Sequence, residues 1–194
     1  VQGDFEAAQQ FAQQSLALAQ AMDNHELMGG GRQMLTHVAL ATGDLALAHQ
    51  YAQAAVYDHR QSGHQAHLAN ALATLGSVAF EKGDFLEAQQ HFMEGIGLAR
   101  ESNNHLYLVS HLIQLGKVQK ALEDLSQAET TYLQALQESL VAASQELMLR
   151  SLSHLADVAL AQGAYEKATT LAACLLVQET ATVHVQELAE TVLQ

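Results

Sequence analysis

The sequence predicts an all-α fold, an α-solenoid in which antiparallel helix pairs stack into a right-handed superhelix. A Gly-Asp step recurs every 40 residues, with weaker forms at its last two positions, and an alanine always lies five positions after its first residue. A fixed period between about 20 and 50 residues is typical of repeat architectures. The 194 residues also include no proline, so the commonest helix breaker is absent. The repeated positions are Gly3, Gly43, Gly83, Glu123 and Gly163 for the step, and Ala8, Ala48, Ala88, Ala128 and Ala168 for the alanine.

One repeat unit, residues 65–104, shows how a helix pair is encoded. Apolar residues recur at helical spacing from Gln65 to Glu81, which predicts a first helix with one buried stripe. Gly83 suits the left-handed end of that helix, and Asp84 can cap the next one with its carboxylate. The second helix is predicted from about Phe85 to Arg100. Such a hairpin cannot bury its apolar faces alone, so it must stack on its neighbours.

The same pattern orders the whole chain as a single array. The chain opens at a Gly-Asp step and lacks an initiator methionine, so we expect it to be a segment of a longer protein. We expect the isolated segment to stack end to end through a first helix that carries Phe5, Phe11, Leu16 and Leu18. The predicted divisions are a truncated unit at 1–24, full units at 25–64, 65–104 and 105–144, a last unit at 145–182, and a capping helix at 183–194.

The residues that recur at equivalent positions of the repeat units indicate a family resemblance. Leu75-Gly76, Ala79, Gly83-Asp84-Phe85, Ala88 and Phe92 form a pattern that resembles the tetratricopeptide repeat. The period of 40 residues exceeds the usual value of about 34, and the closing proline is absent. In both respects the chain resembles the long-period arrays of bacterial signalling ATPases and transcription activators. HEAT and armadillo repeats have a compatible period, but they typically contain proline and lack the Gly-Asp-aromatic turn.

The resemblance implies a non-catalytic scaffold that binds a protein or peptide partner in a concave groove, within a larger signalling or regulatory protein. The alternative is a sensor domain that binds a small molecule or short peptide and controls an attached ATPase or DNA-binding domain. No phosphate-binding loop and no His-Glu-x-x-His motif is present, so we expect no enzyme activity and no cofactor. Cys174 lies among apolar residues, which is typical of a buried structural thiol.

The charge and the cysteine content limit the classes of partner and the compartment that we expect. Eight basic and 21 acidic residues give a formal charge of −13, which disfavours nucleic acid and anionic membranes as partners. The longest apolar runs are too short to span a bilayer. A single cysteine excludes an internal disulfide framework and fits a reducing compartment, so we expect a cytoplasmic protein.

The predicted groove residues lie on the first helix of each pair, offset from its buried stripe. Lys117, Lys120 and Arg150 locally reverse the sign of the chain's charge. They could form a pocket for a carboxylate or acidic peptide, or they could only neutralise Asp157, Glu123 and neighbouring acids; we favour the second interpretation. The predicted partner-binding residues are Asn70, Ser77, Phe80, Ser110, Ile113, Lys117, Lys120, Arg150, Ser153 and Asp157.

Two further features are unusual in a helical repeat. The run Gly29–Gly31 could admit a ligand or act as a hinge, or it could mark a weak, frayed helix; we favour the frayed helix. His64 and His67 could share one helical face, but the sequence assures no third ligand near them. We therefore expect no metal site.

Overall fold

The structure is a computed structural model that describes the backbone of residues 2–176 and the side chains of residues 5–172. Within these residues it is all-helical, with no strand, and consists of stacked antiparallel helix pairs, as predicted. The first helices of the pairs begin at residues 25, 65, 105 and 145. The predicted capping helix at 183–194 and the side chain of Cys174 lie outside the described residues. The helices are α1 (Gln2–Ala21), α2 (His25–Ala41), α3 (Leu45–Ser62), α4 (Gln65–Lys82), α5 (Phe85–Glu101), α6 (His105–Ala121), α7 (Leu125–Val141), α8 (Gln145–Ala161) and α9 (Tyr165–Leu176).

The Gly-Asp step ends one helix and starts the next, as its chemistry predicts. Gly83 caps α4 with a φ of +83°, in the left-handed region that glycine enters without steric cost. The carboxylate of Asp44 accepts a hydrogen bond of 2.9 Å from the backbone N–H of Leu47, which caps α3. Asp124 caps α7 in the same way, although Glu123 must then adopt a φ of +63° in the glycine slot.

The described residues divide into two compact units, with the boundary between Leu98 and Ala99. In the first unit α2 packs against α1 and α3, and α3 packs against α4. Glycine at position 76 is required by an aromatic side chain, because a Cβ there would lie 2.9 Å from the ring of Phe92. The repeated alanines Ala48 and Ala88 are fully buried, as expected for close helix contacts.

In the second unit, α7 packs against α6 and α8, and α8 packs against α9. The same small-residue rule holds here: a Cβ on Gly116 would lie 2.5 Å from the ring of Tyr132, which is fully buried. Ala128 is also fully buried. Glycine on the first helix and a ring on the second helix therefore form one packing device, used in both units. No helix of the described chain is long and apolar enough to cross a membrane.

Candidate functional site: a basic face on α6 and α8

The predicted groove residues of the first unit lie on α4. Asn70 is exposed, whereas Ser77 and Phe80 are half-buried. The Ser77 hydroxyl donates a hydrogen bond of 2.8 Å to the backbone carbonyl of Ala73, and the Phe80 ring lies 5.4 Å from the ring of Phe85. Of these three residues, Asn70 is the one most open to a partner.

The predicted residues of the second unit separate into a surface set and one buried residue. Ile113 is fully buried, so its prediction as a groove-lining residue is wrong. Helix α6 packs against both α7 and α8, and its buried face is therefore wider than one stripe. The other six remain at least partly accessible: Ser110, Lys117, Lys120, Arg150, Ser153 and Asp157.

The cations of this surface contact acids on α8. The ammonium of Lys120 lies 3.8 Å from the Asp157 carboxylate, and the guanidinium of Arg150 lies 4.0 Å from the Glu146 carboxylate. These contacts agree with the interpretation that the basic residues neutralise neighbouring acids. All four side chains are at least 40% exposed, however, and exposed pairs contribute only about 0–1 kcal/mol each. A partner's carboxylate could therefore replace the acids at little cost.

His154, which the repeat pattern does not single out, completes this surface. It lies on α8, four residues after Arg150 and three before Asp157, so all three share one helix face. Its ring stacks on the ring of Tyr132, with centroids 5.0 Å apart and 14° between the planes. Burial lowers the pKa of His154, and Lys117, Arg150 and Lys120 lower it further against the opposing effect of Asp157. These charges therefore act on one shared surface, which we name the basic face: Lys117, Lys120, Arg150 and His154.

A buried hydroxyl lies next to the basic face. The ring of Tyr132 is packed against Gly116, which directly precedes Lys117. Within the described residues the Tyr132 hydroxyl has no hydrogen-bond partner, although it is buried. Burial raises the pKa of this hydroxyl, and the negative charge of Asp157 raises it further, so it keeps its proton and can donate. An unsatisfied buried donor is uncommon in native structures, and this one lies below the surface that a partner would contact.

In the first unit, packing explains two of the three glycines in the run Gly29–Gly31. A Cβ on Gly29 would lie 2.6 Å from the buried ring of His59, and one on Gly31 would lie 3.3 Å from the Cβ of Leu16. Helix α2 is continuous from His25 to Ala41, so the prediction of a frayed helix is wrong. The close approach comes from the chain's own side chains rather than from a ligand. Leu16 therefore packs inward, unlike the exposed Phe11 and Leu18 of α1.

Arg32 also departs from the repeat pattern, in which leucine occupies its column. Its guanidinium donates to the carboxylate of Asp58, which is 1% exposed, and to the backbone carbonyl of Ala54 at 3.2 Å. The other oxygen of Asp58 lies 3.0 Å from Nδ1 of His25. A buried ion pair has thus taken the place of leucine packing in this pair of helices.

Comparisons with known proteins agree with the fold. Residues 67–137 match the family model of the tetratricopeptide repeat, which confirms the resemblance drawn from the sequence. No curated protein matches the chain in sequence. Tetratricopeptide repeats generally mediate protein–protein interactions.

Many solved structures are similar to the chain in fold, and three of them illustrate this. BtubC (BKLC) from P. vanneervenii has a TM-score of 0.77 and 19% identity, over 88% of this chain and 71% of that one. A putative kinesin light chain with TPR-like repeats from Podosopora anserina has a TM-score of 0.76 and 16% identity, over 91% and 87%. The apo form of RapI has a TM-score of 0.68 and 14% identity, over 74% and 52%. At such identities the likeness concerns the fold alone.

Proposed function

We propose that the chain is a non-catalytic scaffold whose basic face binds an acidic peptide segment of a partner protein. The observation that carries the proposal is that Lys120 of α6 reaches Asp157 on the face of α8 that also carries Arg150 and His154, in a chain with a formal charge of −13. Three of the chain's eight lysines and arginines are thus gathered on two helices of one unit. A partner with carboxylates would find here a positive surface that most of the chain does not offer.

The chemistry of the basic face favours carboxylates. Arg150 can donate two parallel hydrogen bonds to one carboxylate, and the lysine ammonium of Lys120 acts as a point charge. Ser153 and Ser110 flank these residues, and the Ser110 hydroxyl already donates to the backbone carbonyl of Leu106 at 2.9 Å. At Lys120 and Arg150 a peptide carboxylate would compete with exposed ion pairs, so its binding there needs no change in the fold.

The setting that we propose is a larger signalling or regulatory protein in the cytoplasm. The resemblance to long-period arrays supports a signalling or regulatory protein, and the single cysteine supports a location in the cytoplasm. A scaffold in such a protein can also bind another domain of the same protein. We therefore regard an acidic segment of that protein as a natural partner.

Selection from a library of random peptides tests this proposal whatever the identity of the partner. The immobilised chain should enrich peptides with two or more acidic residues. The variant Lys117→Glu/Lys120→Glu/Arg150→Glu should enrich none of them. Binding of the enriched peptides to the native chain should weaken as salt is raised, because the contacts are ionic.

A control variant separates the basic face from total charge. Arg60→Glu/Lys82→Glu/Lys167→Glu makes the same change in net charge, but these residues pair with Glu94, Asp84 and Glu129 elsewhere on the surface. This control should retain the peptides. Enrichment of uncharged peptides, or equal loss in both triple variants, would contradict the proposal.

A further inference from the structure

Two histidines and a glutamate converge where α2 and α4 begin. We propose that Glu26, His64 and His67 form a binding site for a divalent transition-metal ion of the zinc class. Within the described residues this is the group of three metal-binding side chains whose donor atoms all lie within 4.8 Å of one another. The sequence placed the two histidines together, and the structure adds the carboxylate as the third ligand.

The distances suit a metal ion. Nε2 of His64 lies 3.3 Å from one oxygen of Glu26, and Nδ1 of His67 lies 3.4 Å from the other. Zinc binds imidazole nitrogen and carboxylate oxygen at about 2.0–2.2 Å in a tetrahedral arrangement. Two ligands of such a tetrahedron are separated by about 3.3–3.5 Å, so each histidine–glutamate distance matches that separation, although the two distances run to different oxygens of the carboxylate. A zinc ion would bind one of those oxygens, so one imidazole must move toward it; the three donor atoms already lie within 4.8 Å of one another.

The position of His64 supports a role other than helix capping. It is the N-cap residue of α4, yet its side chain makes no capping hydrogen bond. The N-caps Asn24, Asp44, Asn104 and Ser144 each accept a backbone N–H with their side-chain oxygen. At His64 the imidazole instead faces Glu26 and His67. The local sequence thus forgoes a common stabilising contact, and the ring is placed where it can bind an ion.

The surroundings hold the ligands in place and leave room for water. The His64 and His67 rings are stacked, with centroids 5.5 Å apart, and the buried ring of His59 packs edge-on against His67 at 5.4 Å. His59 is itself held by Gln33, at 3.1 Å, and by its close packing on Gly29. An open pocket of about 350 Å³ borders Glu26 and His64, so water can reach the position that three protein ligands leave vacant.

Two neutral imidazoles and one carboxylate are a donor set that zinc accepts, with water as the fourth ligand. Binding would join the first turn of α2 to the first turn of α4 and so link two successive helix pairs. Because metal ligands must be deprotonated, binding should strengthen as the pH rises from about 5.5 to 7.5. The same distances would also suit ion pairs between protonated histidines and glutamate, and the experiment must separate these cases.

Calorimetric titration with zinc chloride tests the site on the whole chain, without a polyhistidine tag and after treatment with EDTA. We expect one tight equivalent of zinc. Cobalt(II) in its place should give the intense visible absorption of a four-coordinate ion. The variants His64→Ala, His67→Ala and Glu26→Gln should each weaken zinc binding by more than the roughly 10–100-fold typical of a lost outer-shell partner. Circular dichroism should show that each variant keeps the helical content of the native chain.

A second set of side chains on the same unit provides a matched control. His49 and His91 both contact Glu87, at 2.9 and 3.6 Å, yet these three do not form a converging group within the described residues. The variant His49→Ala/His91→Ala should therefore retain the tight equivalent. No tight equivalent in the native chain would overturn the proposal. Equal weakening in the control and the site variants would also overturn it, because binding would then be adventitious.

Discussion

Substitution by alanine should change the stability of the chain in opposite directions at two adjacent glycines of α2, Gly29 and Gly30. A Cβ on Gly30 would meet nothing within 4 Å, whereas one on Gly29 would lie 2.6 Å from two ring atoms of His59. Ordinary carbon contacts are about 3.5–4.0 Å, so the ring would have to move by about 1 Å. His59 is 2% exposed and hydrogen-bonded to Gln33, which leaves it little room to move.

The expected magnitudes follow from these contacts. Gly30→Ala should stabilise the chain by about 0.5–1 kcal/mol, because alanine loses less backbone entropy in a helix. Gly29→Ala gains the same amount but also overpacks the core, which typically costs about 1–3 kcal/mol. The propensity gain cancels between the two variants. Their free energies of unfolding should therefore differ by about 1–3 kcal/mol, with Gly29→Ala the less stable.

Urea unfolding followed by circular dichroism measures this difference, with EDTA present so that metal binding does not contribute. The variant His59→Ala supplies the second half of a double-mutant cycle. With the ring removed, Gly29→Ala should become as favourable as Gly30→Ala. If the two alanine variants had equal stability, or if the Gly29 penalty persisted without the ring, the packing explanation of the glycine run would be refuted.

Three further predictions concern buried polar groups. Arg32→Leu should lower the free energy of unfolding by about 3 kcal/mol, which is near the lower end of the range for breaking a buried ion pair, because His25 still faces Asp58. In urea unfolding, the double variant Arg32→Leu/Asp58→Leu should recover most of this lost stability. Tyr132→Phe should leave the free energy of unfolding unchanged or raise it by up to about 1 kcal/mol, since the hydroxyl has no partner within the described residues. A clear decrease in the free energy of unfolding would show instead that the hydroxyl is hydrogen-bonded. NMR titration should find the pKa of His154 below its ordinary value of 6.5. Its contribution to stability is then present above about pH 6.5 and lost as the pH falls, because the unfolded chain binds a proton that the folded chain disfavours; titration at or above about 6.5 would contradict this.

Helix positions could be predicted from the sequence because local chemistry determines them. Gly83 needs no Cβ in the left-handed region, and the carboxylate of Asp44 caps the helix that follows it. The second helix predicted from about Phe85 to Arg100 is observed from Phe85 to Glu101. These helix boundaries depend on a few neighbouring residues, and the same local pattern recurs in several repeat units.

The candidate sites depend on contacts that periodicity does not contain. Ile113 has the spacing of a surface residue, yet α6 packs against two helices and buries it. Glu26 meets His64 from 38 positions away in the sequence, across the turns of successive helix pairs. The requirement for glycine at position 29 is explained only by the His59 ring that packs against it. Departures from the repeat pattern marked some of these residues, but only the structure supplied their partners.

Chemical-shift mapping with an enriched acidic peptide tests the central claim most directly. If the basic face binds carboxylates, the largest shifts should fall on the end of α6 that carries Lys117 and Lys120 and on α8 around Arg150. The bound peptide should also raise the pKa of His154, because its negative charge offsets the surrounding cations. Shifts confined to other helices, with an unchanged pKa of His154, would contradict the proposed binding site.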